Sequence, residues 1–151
     1  MTPSFRAPSQ FDAWWIAERM AEIDARECAA FGLEPLAALD QAMAQSILCW
    51  TGEIGGMPEA MFGVVPANLS TGWGRPWFLG TERARSNARA FLRIAPIYLN
   101  RIAAIFPRLD NYVHRDNAAA IRWLERMGFV VETKSTDFGG EPMLHFYSRD
   151  F

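Results

Sequence analysis

Apolar positions between Phe11 and Phe31 recur at helical spacing. Ile16, Met20 and Ile23 fall on one side while Glu18, Arg19, Glu22 and Arg26 lie largely on others, which predicts an amphipathic helix. Ser9-Gln10-Phe11-Asp12 sets its start, because a serine hydroxyl accepts an exposed first-turn amide and an acid is favoured near the positive end of the helix dipole. Gly32 marks its stop. Leu36, Leu39 and Met43 keep the same period and predict a second, shorter helix from Pro35 to about Ala44. Residues 1–9 read as an extended N-terminal segment.

After Gln45 the pattern changes. Three strand-length runs, Ser46 to Thr51, Glu59 to Val65 and Pro76 to Thr81, are separated by 52–58 and 66–74, which carry turn chemistry. These read as consecutive antiparallel strands. Helical spacing returns from Ser86 to Phe106, where Phe91, Ala95, Tyr98, Ile102 and Ile105 form a stripe; Pro96 is expected to kink or split this helix and Pro107 to end it. A strand at Leu109 to Val113, a helix at Asn117 to Met127, a turn at Gly128, a strand at Phe129 to Thr133, a loop at 136–140 and a strand at Pro142 to Tyr147 complete the order ααβββαβαββ. The chain is thus expected to form one α/β domain with a mixed sheet over residues 1–151. A right-handed crossover between Trp77 and Val113 makes strands 76–81 and 109–113 parallel neighbours.

Composition narrows the function classes. Of 151 residues half are hydrophobic, with 6 Trp and 11 Phe, which is the make-up of a chain that buries a core. The 15 basic and 17 acidic residues give a net charge of −2 without any run of five like charges, so no nucleic-acid surface is expected. Cys28 and Cys49 make neither a disulfide framework nor, with the two histidines, a metal-ligand set; a reducing cytoplasm and no metal are expected. The start lacks the pattern of a secretory signal. The most apolar stretch, Phe91 to Phe106, is interrupted by Arg93, Asn100 and Arg101, so no membrane span is expected.

The run Asn117-Ala-Ala-Ala-Ile-Arg-Trp-Leu-Glu-Arg-Met-Gly-Phe129, taken with the order of elements, resembles the second conserved half of the GNAT N-acetyltransferases. There an asparagine opens the helix, alanine and isoleucine pack it on the sheet, and Gly-Phe starts the next strand. Gly74-Arg-Pro-Trp-Phe-Leu-Gly-Thr81, Phe106-Pro-Arg-Leu-Asp-Asn-Tyr-Val113 and Asn117 to Phe129 are also similar to the internal virion protein A-like family of tailed phages, relatives of the acetyltransferase fold. That likeness extends through 25–32 and 58–66. The resemblance implies a GNAT-like acyl-CoA N-acyltransferase fold whose two parallel strands splay apart, a phage origin, and a location in the host cytoplasm or the virion.

It also implies acetyl-CoA as the cofactor and an amine of unknown identity as acceptor. The coenzyme pyrophosphate needs backbone amides at a helix start, in the family from a loop of the form R/Q-x-x-G-x-G/A. Arg83-Ala-Arg-Ser-Asn-Ala88 occupies that place, with Ser86 where the first glycine belongs. Its Cβ narrows the approach, yet its hydroxyl and the charge of Arg83, Arg85 and Arg89 suit an anion; alternatively Ser86 only caps a helix whose arginines are solvated. The implied cofactor contacts are the backbone groups of Leu79, Gly80 and Thr81, together with Arg83, Arg85, Ser86, Asn87, Ala88 and Asn117.

For proton transfer the family places a tyrosine four residues before the glycine of its Gly-Phe pair, and here that residue is Leu124, which has no proton to give. Tyr112 and His114 share one strand face by the period of two and are the replacement candidates. Glu53, Glu59 and Glu82 are candidate bases, and Tyr112, His114 and Glu82 form the expected catalytic set. Trp123 reads as core. Trp73, Trp77 and Phe78 wall a substrate groove or make a sticky surface. Two readings follow: an acetyltransferase, or a catalytically degenerate relative serving virion assembly or host interaction, with other phage or host proteins as partners. Leu124 and the altered loop favour the second, Asn117 and the arginines the first.

Overall fold

A computed structural model describes residues 2–68 and 70–149. Met1, Leu69, Asp150 and Phe151, with the parts of the expected N-terminal segment, 66–74 turn and 1–151 domain that fall on them, lie outside the described residues.

Ser9 caps α1 (Gln10–Glu18) as its position predicts: its Oγ accepts the Asp12 amide at 3.3 Å and Asp12 Oδ2 accepts the Ser9 amide at 2.9 Å. Asp12 is wholly buried and also takes two guanidinium N–H groups of Arg6, at 2.7 and 2.8 Å, and the Thr51 hydroxyl at 2.9 Å. One carboxylate therefore ties α1 to β1 (Ser4–Arg6) and β2 (Leu48–Ile54). The expected extended segment thus contains a short strand, antiparallel to β2 with Phe5 opposite Gly52. Three residues are too few for a period to announce it.

The helix expected from Phe11 to Phe31 is in fact two, α1 and α2 (Glu22–Ala30). Its apolar period continues across the break, but Met20 bridges Thr81 and the Ala21 amide donates to the Gly80 carbonyl at 2.9 Å. That strand-like contact draws the backbone out of the helix, a tertiary effect overriding local periodicity. After Gly32, at φ 77°, comes α3 (Pro35–Gln45).

The antiparallel order of β2, β3 (Met57–Asn68) and β4 (Trp73–Gly80) is as read, but the strands extend into the expected separators at 52–54, 57–58, 66–68 and 73–74, because backbone pairing continues to the turns, while Ser46 and Thr81 cap α3 and the next helix instead of joining strands. Next come α4 (Glu82–Ser86) and α5 (Ala88–Ile105), separated at Asn87 where one helix from Ser86 is expected. Pro96 lies inside α5 without splitting it: the missing amide removes one intrahelical bond, and Phe91 and Ile102, buried on either side, hold the helix to the sheet. The remaining elements are β5 (Arg108–His114), α6 (Ala118–Arg126), β6 (Phe129–Phe138) and β7 (Glu141–Ser148). The expected 136–140 loop contracts to a turn at Gly139 and Gly140, whose φ values of 59° and 86° favour glycine.

Among the described residues the sheet has seven strands in the order β1-β2-β3-β4-β5-β7-β6, mixed as expected. Neighbours are antiparallel except β4 and β5, the expected parallel pair. Their pairing is confined to Trp73 opposite Arg108 and Gly74 opposite Leu109, after which the strands part. Gly74 permits the contact, since a Cβ there would stand 2.6 Å from Phe106 Cγ. Helices α1 and α3 bury Ala13, Ile16 and Leu39 with Met61 on one face of the sheet, while α5 and α6 bury Ile102 and Leu124 with Val64, Leu109 and Phe129 on the other. Among the described residues no helix is long and apolar enough to cross a membrane.

Candidate functional site

The parting of β4 from β5 exposes one edge of β4. In an antiparallel pair alternate residues exchange backbone bonds with the neighbour, and the Thr81 amide donates to Glu59 O at 2.9 Å, so Thr81, Leu79 and Trp77 bond toward β3 while Gly80, Phe78 and Pro76 turn toward the gap. Side groups engage both ends of this edge. The Pro76 carbonyl accepts Asn111 Nδ2 at 2.8 Å; the Gly80 amide donates to Asp24 Oδ2 at 2.9 Å, and the Gly80 carbonyl accepts the Ala21 amide. Between them the amide and carbonyl of Phe78 turn to the gap without a partner among the described residues.

A cavity of about 830 Å³ fills this gap and is lined from both faces of the sheet: by Leu33, Gln41 and Gln45 on the α3 side, and by Ala88, Leu92, Ala120 and Trp123 on the α5 and α6 side. It therefore passes through the sheet where β4 and β5 separate. Its wall is mostly apolar. Trp123 Nε1 is buried on that wall without a hydrogen-bond partner among the described residues. An unsatisfied buried donor costs about 1–3 kcal/mol.

Two acids of α2 share the cavity. Asp24 and Glu27 are three residues apart and so lie on one helix face. Glu27 Oε2 accepts the His114 backbone amide at 2.7 Å, with the Asn117 side chain and Arg85 near enough to favour its charged form. Burial, followed by the charge of Asp24, pushes Glu27 up to about 8, against the opposing pull of His114, Asn117 and Arg85. Burial also raises Asp24, to about 6, with the Gly80 amide and Arg85 limiting the rise. At neutral pH the arrangement holds one proton on Glu27 beside an ionised Asp24.

Of the residues expected from sequence, Leu79, Arg85, Ala88, Tyr112 and Asn117 line the cavity. Asn117 is buried and caps α6 by accepting the Ala120 amide at 3.3 Å, leaving its NH₂ for Glu27. The backbone groups of Gly80 are engaged as described; Thr81 is buried, donating its hydroxyl to Glu59 Oε1 at 3.0 Å and accepting the Ala84 amide at 3.2 Å. Arg83 lies 3.6 Å from Glu59 Oε2. The segment expected to cradle a pyrophosphate is the helical turn α4 followed by the start of α5: the Ser86 hydroxyl donates to the Glu82 carbonyl at 3.0 Å and Asn87 Nδ2 to the Arg83 carbonyl at 2.8 Å. Asn87, not Ser86, stands at the cap of α5, and its carbonyl takes the amides of Ala90 and Phe91, leaving those of Ala88 and Arg89 as first-turn donors with no acceptor among the described residues.

His114 is wholly buried outside the cavity wall, its Nδ1 accepting the Asp116 amide at 2.9 Å and its Nε2 3.2 Å from Glu141 Oε2. Glu82 is exposed, also outside the cavity, and accepts the Glu22 amide at 3.3 Å. Glu53 pairs with Arg6. Trp123 and Phe78 meet edge to face at 5.7 Å on the cavity wall, beside the buried Leu124. Sequence reasoning does not reach Asp24, Glu27 and Asn111. The spacing of Asp24 and Glu27 is visible in the chain, but their burial comes from β4 and β5.

Solved structures share this architecture. Ard1 from Thermoplasma volcanium superposes with a TM-score of 0.72 at 15% identity, covering 100% of this chain and 99% of that one. The ribosomal-protein-S18-alanine N-acetyltransferase from Escherichia coli gives 0.64 at 16% identity over 97% and 93%. An acetyltransferase from Bacillus subtilis, solved in complex with CoA, gives 0.65 at 6% identity over 99% and 98%. The fold is that of the GNAT acetyltransferases, as the sequence resemblance implies. No protein-family model and no curated protein sequence matches the chain.

Proposed function

We propose that this chain is a coenzyme A-dependent N-acetyltransferase acting on an amine. The observation that carries the reading is the Phe78 backbone edge turned to an apolar slot where β4 and β5 part, with the Trp123 ring on its wall, an arrangement that fits an amide-bearing pantetheine arm. Leu79 walls the slot, and Gly80 and Thr81 fix the β4 edge that forms it. Arg83 and Arg85, with the first-turn amides of Ala88 and Arg89 and the polar groups of Ser86 and Asn87, face the pyrophosphate at the positive end of α5.

Acetyl-CoA supplies a thioester whose acyl carbon an amine attacks. Above about pH 8, where Glu27 is ionised, its carboxylate receives the ammonium proton; a base at about 8 lies within roughly two pH units of an ordinary amine, far closer than an unperturbed glutamate. Asn117 and the His114 backbone amide hold Glu27 in place, Asp24 supplies the charge that raises it, and Glu82 adds negative charge behind Asp24. Tyr112, whose side chain borders the cavity, returns a proton to the leaving thiolate in place of the tyrosine that Leu124 replaces. The assembly reading rests on the likeness to the phage family, which is also the ground for placing the protein in a host cytoplasm or particle; the through-sheet cavity favours the enzyme.

The test is free-thiol release from acetyl-CoA with mass detection of the acetylated amine, followed across pH. Turnover should rise through about pH 8 in the wild type and lose that rise in Glu27→Gln. Acetyl-CoA binding without a titrating base, or no binding at all, contradicts the proposal.

A further inference from the structure

We infer that the acceptor is a small monoamine carried on an aromatic or other apolar body, rather than a polyamine, an aminoglycoside or a peptide. The inference rests on the transferase reading above and concerns the α2 and α3 side of its cavity. Three rings stand there, Phe31, Tyr112 and Phe138, with centroids 5.1 Å apart for Phe31 and Phe138, 4.9 Å for Tyr112 and Phe138, and 6.4 Å for Phe31 and Tyr112. All three line the cavity, and half-exposed Phe31 forms its rim. Aromatic faces attract both a flat apolar body and an ammonium group, and the proton acceptor Glu27 lies on the same α2 wall.

Charge argues against polycations. Among the described residues the charged side chains lining the cavity are Asp24, Glu27, Arg75 and Arg85, two of each sign. A polyamine needs a carboxylate for each ammonium it buries, and Glu27 is the less charged of the two acids present. The smaller hollow beside it holds Glu22, Glu82 and Asp116, but set against Arg26 and Arg85, with Asp116 3.7 Å from Arg26. Gln41 and Gln45, the remaining polar groups on the α3 side, are neutral.

Shape argues against a peptide. The β6–β7 turn is seated on α2: Phe138 packs on Phe31, Arg26 Nε donates to Glu141 Oε1 at 2.8 Å, and a Cβ on Gly139 would lie 3.0 Å from the Ala30 carbonyl oxygen. An extended chain requires a channel open along its length, and this contact closes that side.

The experiment uses the full chain with acetyl-CoA and four acceptors: 2-phenylethylamine, spermidine, kanamycin and a short peptide with a free N-terminal alanine. The expected kcat/KM for 2-phenylethylamine exceeds each of the others by about tenfold or more, the scale on which one aromatic contact discriminates. Phe138→Leu, which keeps an apolar side chain, should raise KM for 2-phenylethylamine severalfold while the calorimetric affinity for acetyl-CoA stays unchanged. Preference for spermidine, kanamycin or the peptide overturns the inference and leaves the transferase reading standing, as does acetyl-CoA binding without turnover of 2-phenylethylamine. Absence of acetyl-CoA binding overturns both.

Discussion

Glu27→Gln removes an ionisation while preserving shape, and its effect on stability should depend on pH in a defined direction. In the folded protein Glu27 keeps its proton up to about pH 8, whereas an unperturbed glutamate loses it near 4.5. Between those values the unfolded chain has released a proton that the folded chain still binds, so stability falls as pH rises and levels off above the folded value. The interval corresponds to a ceiling of roughly 5 kcal/mol at about 1.4 kcal/mol per pH unit. Coupling to Asp24 and exposure to the cavity lower this to roughly 2–4 kcal/mol. Gln still accepts the His114 amide but turns an NH₂ toward that of Asn117, a mismatch of about 1 kcal/mol. The variant should therefore be slightly less stable than wild type below about pH 4.5 and clearly more stable at about pH 9. Urea unfolding of both proteins across that range measures the difference. A stability difference that does not change with pH refutes the placement of Glu27 in a desolvated, negatively charged site.

Gly74→Ala should destabilise by about 1–3 kcal/mol in urea unfolding, because its methyl meets the Phe106 ring at the point where β4 and β5 pair. Asp12→Asn should cost about 1–2 kcal/mol at neutral pH by removing the charge that holds Arg6 and one of the acceptor positions shared by Arg6, Thr51 and Ser9, while Arg6 keeps Glu53. Burial alone would raise Asp12, but the bonds from Arg6, Thr51 and Ser9 outweigh it and hold its carboxyl below the usual 3.8, so its contribution is complete above that value and is lost as pH falls through the folded value. Tyr112→Phe should lower kcat for thiol release by about tenfold to a hundredfold with little change in acetyl-CoA affinity, and an unchanged kcat assigns the leaving-group proton to another source.

The layout of the sheet was legible because it rests on short-range chemistry. The apolar period of α5, the Ser9 cap and the glycine turn at Gly128 act within a few residues, and strand–helix–strand order fixes the parallel β4–β5 pair. The break between α1 and α2 was not legible, since it depends on Ala21 meeting Gly80 across 58 intervening positions of chain. The site divides the same way. Asn117 and Arg85 sit where motif order places them, on the cavity wall. Glu27 looks like any other acid on a polar helix; its altered acidity arises when β5 brings the His114 amide against it and Asp24 turns onto β4.

A ¹H–¹⁵N titration with acetyl-CoA tests the central claim most directly, because the two groups that define the slot each carry an observable N–H. Saturable, concerted shifts of the Phe78 amide and the Trp123 indole, accompanied by Ala88 and Arg89 at the start of α5, are the result expected if the parted β4 edge holds the coenzyme. Saturable binding that leaves Phe78 and Trp123 unmoved, or no shift at any attainable concentration, would contradict it.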